Sequence, residues 1–427
     1  MLPSSLSAKA KRTGEQPISH LMLEAVTNPS LISLAAGLVD QGSLPTDLMG
    51  ELMAEILGAG SSGQAALQYG TTPGDAGLRD ELLRHWEKLE GRSRESLGVG
   101  VDDVLVTTGS QQGLYLLCEA MIDPGDIVIA AAPSYFVFTG TLSSFGADIR
   151  TVPMDEGGMR VDLLEELLEE LRGSGEIERL RAIYVVSYFQ NPTGINLAAN
   201  RRERILELAR TFSEAHRIIV IEDAAYRELR YDGPDLPSIK SYDSGNAQVV
   251  LAMTFSKVFS PGMKTGYLVL PKALSEPVLH LKGNHDFGSS NLNQHCLRML
   301  MRSGRFGAQV ERLRETYRVK RDVMLEALDA GLGNVLEVHW TRPAGGLYSW
   351  LTLPEGVSTR RGDRLFQRCI DAGVLYVPGD YCFAPQQGRD LPTNHMRLSF
   401  GVVEAAPIRE GIQRLSRAIR EEMGLSA

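Results

Sequence analysis

The chain has 427 residues, long enough for a large core and two domains, and its 43% hydrophobic and 23% charged content is that of an ordinary globular protein. A net charge of −9 argues against a nucleic-acid-binding surface as its main business. No apolar run approaches the length of a membrane span, and the segment from Met1 to Arg12 lacks the apolar stretch of a signal peptide, so the cytoplasm is the expected location.

Residues 1–45 are mixed and rich in Gly, Pro and Ser, with one helical stretch around Ile18 to Val26. They are expected to form an N-terminal arm or lid. Leu48, Met49, Leu52, Met53, Ile56 and Leu57 then recur at helical spacing behind Thr46-Asp47. From there the chain alternates. Strands are predicted at Val104 to Val106, Ile127 to Ala130, Arg181 to Val186, Ile218 to Ile221 and Val249 to Met253. Helices are predicted at Ser110 to Met121 and Arg201 to Ala215. This order predicts an α/β/α sandwich with a mostly parallel sheet over residues 46–305. A long amphipathic helix near 310–330, short strands at Tyr348 to Leu353 and Met396 to Phe400, and helices near 362–372 and 405–423 predict a smaller α+β domain over 306–427.

Several patterns carry no chemistry. Cys118, Cys296, Cys369 and Cys382 are scattered without a Cys-x-x-Cys pair, and the eight histidines show no metal-ligand spacing. Arg201-Arg-Glu-Arg204 and the acids from Glu165 to Glu170 read as solvated helix faces. Gly58-Ala-Gly-Ser-Ser-Gly63 matches the dinucleotide fingerprint in letters, but a helix precedes it and Gln64 to Gly70 does not read as one. A helix-to-loop connection is expected there.

The most informative run is Thr254-Phe-Ser-Lys-Val-Phe-Ser-Pro-Gly-Met-Lys-Thr-Gly-Tyr267. Lys257 follows a short apolar strand and the hydroxyls of Thr254 and Ser256. A Pro-Gly turn and a second cation, Lys264, come next. That order suits a lysine forming a Schiff base with a phosphate-bearing aldehyde, the hydroxyls and Lys264 holding the phosphate. A lysine in a surface turn is the bland alternative. Gly109-Ser-Gln111 join a strand to a helix, where backbone N–H groups favour an anion, although an N-cap at Ser110 explains them as well. Asn191-Pro-Thr-Gly194 is a turn after an apolar strand. Glu222-Asp223 cap the buried strand Ile218 to Ile221, where an acid is costly unless paired, and a pyridinium N–H would be such a partner. These positions fall at the C-terminal ends of predicted strands, the edge at which open α/β sheets bind ligands.

The lysine run resembles the cofactor-lysine motif of fold-type I pyridoxal 5′-phosphate (PLP) enzymes, specifically the class I/II aminotransferases. The likeness spans nearly the whole chain and looks most like the 2-aminoadipate/kynurenine type and the related domains of MocR-type regulators. About 45 residues precede it, so the regulator role, which would need an additional N-terminal winged helix, is not the expected one. The resemblance implies roles. Lys257 would be the catalytic lysine, Asp223 would hold the ring nitrogen, and Asn191 and Tyr226 would contact the phenolate oxygen. Tyr135 would lie against the ring, unless it is a core aromatic. Arg397, in Met396-Arg-Leu-Ser-Phe-Gly401, would grip the substrate carboxylate, with an ion pair at a strand edge as the alternative. Gly37 would sit on the substrate side. Tyr69 would reach the phosphate of a neighbouring subunit in an obligate homodimer, unless it merely packs in its turn.

Two departures stand out. Lys264 replaces the usual arginine, and Leu34-Ala-Ala-Gly-Leu-Val-Asp40 lacks the family's usual Pro-Asp and Phe-Pro elements. The implied activity is transfer of an amino group between an amino acid and a 2-oxo acid. A PLP lyase and a non-catalytic PLP sensor are the alternatives. His285 to Gln294 contains no arginine or lysine, so the expected substrates are apolar, aromatic or 2-aminoadipate-like, with 2-oxoglutarate accepted only if Lys9, Lys11 or Arg12 supplies a cation.

Overall fold

In the computed structural model, which describes residues 5–386, 388 and 390–425, four of the five apolar runs become the middle of one eight-stranded sheet and the fifth, Val104–Thr107, an edge of it. The first four residues of the N-terminal segment lie outside the described part. In space the strands run Val104–Thr107, Gly266–Val269, Val249–Thr254, Ile219–Asp223, Leu180–Val186, Ile127–Ala132, Asp148–Asp155 and Gly158–Met159. The five from Val249–Thr254 to Asp148–Asp155 pair in parallel. Gly266–Val269 is antiparallel to both neighbours because the chain returns directly from Thr254. It was not among the predicted strands, and neither was the polar Asp148–Asp155.

Successive strand residues face opposite layers. Val128, Tyr184, Ile221 and Val250 pack under helices Gly109–Met121 and Phe136–Phe145. Ile129, Ile183, Val220 and Val249 pack under Val161–Ser174 and Ala199–Thr211. Both faces are covered, so the strands read as continuous apolar runs. Arg202 corrects the solvated-face reading of its helix. It is fully buried and donates to the Leu197 and Ser187 carbonyls. Gly58 to Gly63 is corrected in part. Ser61–Ala66 forms a short helix rather than a loop, and Gly63 is needed because a Cβ would lie 2.7 Å from the Ile56 carbonyl oxygen. The preceding element is the helix Thr46–Leu57, not a strand.

The C-terminal part has a four-stranded antiparallel sheet in the order His339–Trp340, Tyr348–Thr352, His395–Ser399, Val377–Pro378. Helices Arg305–Leu332 and Ala405–Glu422 pack together beside it. The N-terminal segment is fastened here. Ile32–Ser33 pairs with Val374–Leu375, and Ser399 N donates to Leu34 O at 2.7 Å. Asp40 is buried against Lys320 at 2.5 Å. No helix among the described residues is long and apolar enough to cross a membrane.

Candidate active site

Because the central strands run in parallel, the residues that follow Thr107, Val186 and Thr254 meet Asp223 at one edge of the sheet. They line a cavity of about 240 Å³. Gly109, Ser110, Gln111, Tyr135, Asn191, Asp223, Tyr226, Thr254, Ser256, Lys257 and Lys264 all face it.

At one end stands the helix Gly109–Met121. Its N-cap is Thr108, not Ser110, and no cap side chain covers the first turn. The amides of Gly109, Ser110 and Gln111 have no hydrogen-bond partner among the described residues, an arrangement that favours an anion. Gly266 lets this turn approach the sheet, since a Cβ there would lie 2.6 Å from Ser110 N. Thr254 Oγ1 and Ser256 Oγ are 2.9 Å apart, and Lys264 closes the next turn in the left-handed region at φ 46°.

Asp223 is the last residue of its strand and only 5% exposed. Its Oδ2 accepts from the Tyr184 hydroxyl at 2.9 Å and its Oδ1 from Ala225 N at 3.2 Å. Burial pushes the carboxyl up to about 6 against those two hydrogen bonds, and no cation counters it. Glu222, one residue earlier, points to the other face. There it accepts from Ser187 Oγ at 2.7 Å and from the Ile239 and Lys240 amides. The pair of acids therefore divides into one satisfied structural carboxylate and one aimed at the cavity without a cation.

The opposite end combines three distant stretches. Lys257 Nζ donates to the Gly37 carbonyl at 2.8 Å. Arg397 is 1% exposed and donates to Asn191 Oδ1 at 2.9 Å and to Ala35 O at 2.8 Å. Its Nε has no partner, and it makes no ion pair among the described residues, so it is not the surface pair considered from sequence. It lies 4.4 Å from the ring centroid of Tyr348, whose hydroxyl is 3.2 Å from that of Tyr226. Burial raises Tyr226 well above the usual tyrosine value. Burial acts the same way on Tyr348, but the Arg397 and Lys257 charges outweigh it and leave Tyr348 the more acidic of the two.

Three assigned residues stand outside the cavity wall. Gly37 and Arg397 adjoin it through Lys257 and Asn191. Tyr69 is 84% exposed, edge-on to Phe287 at 5.9 Å, and does not reach the cavity of its own chain. Nor do two of the N-terminal cations. Lys9 bonds Tyr115 and covers Phe145, and Arg12 donates to Ser144 O, at the far end of the helix Phe136–Phe145. Sequence reasoning assigned no role to Tyr348, Tyr184 or Thr108. The signal for Tyr184 was a hydroxyl inside an aliphatic strand, on the same face as Val186.

Residues 30–415 match the family described as aminotransferase class I and II. The aromatic-amino-acid aminotransferase 1 of Thermococcus litoralis is 35% identical over 94% of this chain and 91% of its own length. The 2-aminoadipate transaminase of Thermus thermophilus is 34% identical over 95% and 94%. The crystal structure of Pyrococcus horikoshii kynurenine aminotransferase in complex with PMP, at 33% identity, superposes with a TM-score of 0.89 over 99% of this chain and 98% of that one. The chain belongs to the class I and II aminotransferases. It has their fold-type I architecture and is a PLP-dependent aminotransferase, which disfavours the lyase alternative.

Proposed function

We propose that PLP binds in this cavity with its phosphate on the amides of Gly109 to Gln111, the hydroxyls of Ser110, Thr254 and Ser256, and Lys264. The donor set fits: partnerless amides and a cation at one end, a buried carboxylate lacking a cation in the middle, and the Lys257 amine at the other side. Bound there, the cofactor supplies an aldehyde that accepts the amino group and a ring that withdraws electrons from the substrate Cα. Asp223 would hold the proton on the ring nitrogen. Asn191 and Tyr226 would hold the phenolate oxygen, and Tyr135 would cover the ring. Arg397 fixes the substrate carboxylate with its two-pronged fork, beside Gly37. Lys257 Nζ would take the proton from the substrate Cα as base and give a proton back as acid.

The amino donor is an apolar, aromatic or 2-aminoadipate-like amino acid and the acceptor a 2-oxo acid, in a biosynthetic step in the cytoplasm. The relatives' names support the aromatic and 2-aminoadipate-like part of this range. Lys9 and Arg12 are already engaged elsewhere and supply no second carboxylate site in their own chain. The unit is a homodimer in which Tyr69 serves the partner's phosphate. Its exposure beside exposed Leu67 and Phe287 supports that reading. The chain divides into an arm over 1–45, a cofactor domain over 46–305 and a small domain over 306–427.

The observation that carries the proposal is the meeting of Lys257, cation-free Asp223 and acid-free Arg397 around one cavity. A donor-by-acceptor panel tests it. Leucine, phenylalanine, kynurenine and 2-aminoadipate are expected to outrank aspartate in kcat/KM. A kcat/KM for aspartate far above theirs would overturn the substrate class, and, with a donor that carries a β leaving group such as serine or cysteine, release of pyruvate and ammonia without a new amino acid would overturn transamination.

A further inference from the structure

Lys282 is fully buried in the helix Lys272–Asp286, where an ammonium is tolerated only if its donors are matched. Its Nζ donates to Asp286 Oδ1 at 2.8 Å and Oδ2 at 2.9 Å, to Ser289 Oγ at 3.0 Å and to Gln112 Oε1 at 3.2 Å. Each acceptor leads back to one residue of the cavity wall. Gln112 Oε1 also accepts from Thr108 N at 2.7 Å, and Gln112 Nε2 donates to Asp286 Oδ2 at 2.7 Å. Thr108 Oγ1 lies 3.2 Å from Ser289 Oγ and donates to Asp286 Oδ2 at 3.4 Å. Thr108 immediately precedes the three open amides.

The network does not stabilise a remote part of the core. It ends on the residue that sets the direction of the helix's first turn. A fully connected polar cluster holds one geometry, whereas an apolar side chain at 282 would leave Gln112, Asp286 and Thr108 free to rearrange. We propose that Lys282 is a positioning residue for the phosphate end of the site: through Gln112, Asp286 and Ser289 it fixes Thr108 and thereby aims the amides of Gly109 to Gln111. This rests on the assignment of that turn to the cofactor phosphate.

The test compares a ligand with the phosphate and one without it. Apoenzyme of the full chain is titrated with PLP and with pyridoxal, followed by visible absorbance. Wild type is expected to prefer PLP. Lys282→Met is expected to lose about tenfold or more of its PLP affinity, the scale of one charged hydrogen bond, with pyridoxal affinity unchanged. A general structural defect would lower both alike, and that result, or no loss at all, overturns the proposal. Asp286→Asn carries the same expectation and replaces Lys282→Met if the latter fails to fold. Ser256→Ala separates the two levels. A preference lost in Ser256→Ala but kept in Lys282→Met overturns only the role of Lys282. A wild type without preference overturns the assignment of the phosphate end itself.

Discussion

The two ends of the cavity are built in different ways. At the end proposed for the ring and phosphate, Ser110, Asp223, Thr254, Ser256 and Lys264 all come from the stretch between Val104 and Val269, each on or within a few residues of a strand of one sheet. Strand pairing fixes their separation, so the end forms whenever the sheet does. At the end proposed for the substrate carboxylate, Arg397 comes from the small sheet, Asn191 from a turn of the large one, and Ala35 and Gly37 from the N-terminal segment. That end exists only when the three meet. A cofactor common to a whole family belongs on the rigid end, and discrimination between substrates belongs where the segments can shift.

The largest expected effect lies at the rigid end. Asp223→Asn should lower kcat by at least a hundredfold, the order of magnitude for losing a preorganised charge at the reacting system. Stability of the apoenzyme should move the other way. In the folded apoenzyme the carboxyl is raised from its ordinary 3.8 to about 6 by burial, so the folded state binds this proton more tightly than the unfolded chain. Its favourable contribution is present below about pH 4 and is lost as the pH rises through about 6. At neutral pH the buried carboxylate therefore opposes folding, by something on the order of 1–3 kcal/mol. The apo variant should melt above wild type at pH 7–8, and the gap should close below pH 4. Melting curves against pH check this; a variant less stable than wild type throughout would make Asp223 a structural strand cap.

The same contrast explains what could be read without coordinates. The placing of Lys257, Ser110, Asn191 and Asp223 at one edge of the sheet was legible because each sits just past, or at the end of, an apolar run, and the run predicts both the strand and its end. The predicted strand stopped at Ile221, yet the true end at Asp223 left the carboxylate on the expected edge. Thr108 and Lys282 were not legible. Their network joins two helices that lie far apart in sequence, and a lysine four residues before an aspartate reads equally well as an exposed helical pair. Tyr348 was hidden for the same reason. Its run is a turn and a strand like many others, and only contact with Gly37 and Arg397 gives it a role.

At the segmental end, Arg397→Lys should act on substrate and spare the cofactor. A lysine cannot hold Asn191 Oδ1 and Ala35 O while presenting a planar fork to a carboxylate. Loss of one charged hydrogen bond predicts a fall in kcat/KM of roughly ten- to a hundredfold, carried mainly by KM. PLP affinity of the apoenzyme should stay at the wild-type value. A matching loss of PLP affinity would mean that the two ends are not independent.

The smallest expected effect is also the most local. Gly37 has an ordinary backbone conformation, so alanine meets no backbone strain there. Its Cβ, however, would lie 2.8 Å from the Tyr348 hydroxyl oxygen, with Arg397 at 3.8 Å. Tyr348 is buried between Tyr226 and Arg397, and both neighbours oppose a swing of its ring. The segment must therefore lift, at a cost of about 1–3 kcal/mol, which predicts a rise in KM of several-fold or more with PLP affinity untouched. Removing the hydroxyl removes the clash, because the next atom of that ring, Cζ, stands 3.8 Å away at ordinary contact distance. Gly37→Ala combined with Tyr348→Phe should then have a KM close to that of Tyr348→Phe alone. That non-additivity is the signature of a direct contact. Independent, additive effects of the two substitutions in steady-state kinetics would show that the segment does not rest on Tyr348 when substrate binds, and the carboxylate end would have to be rebuilt from Arg397 and Asn191 alone.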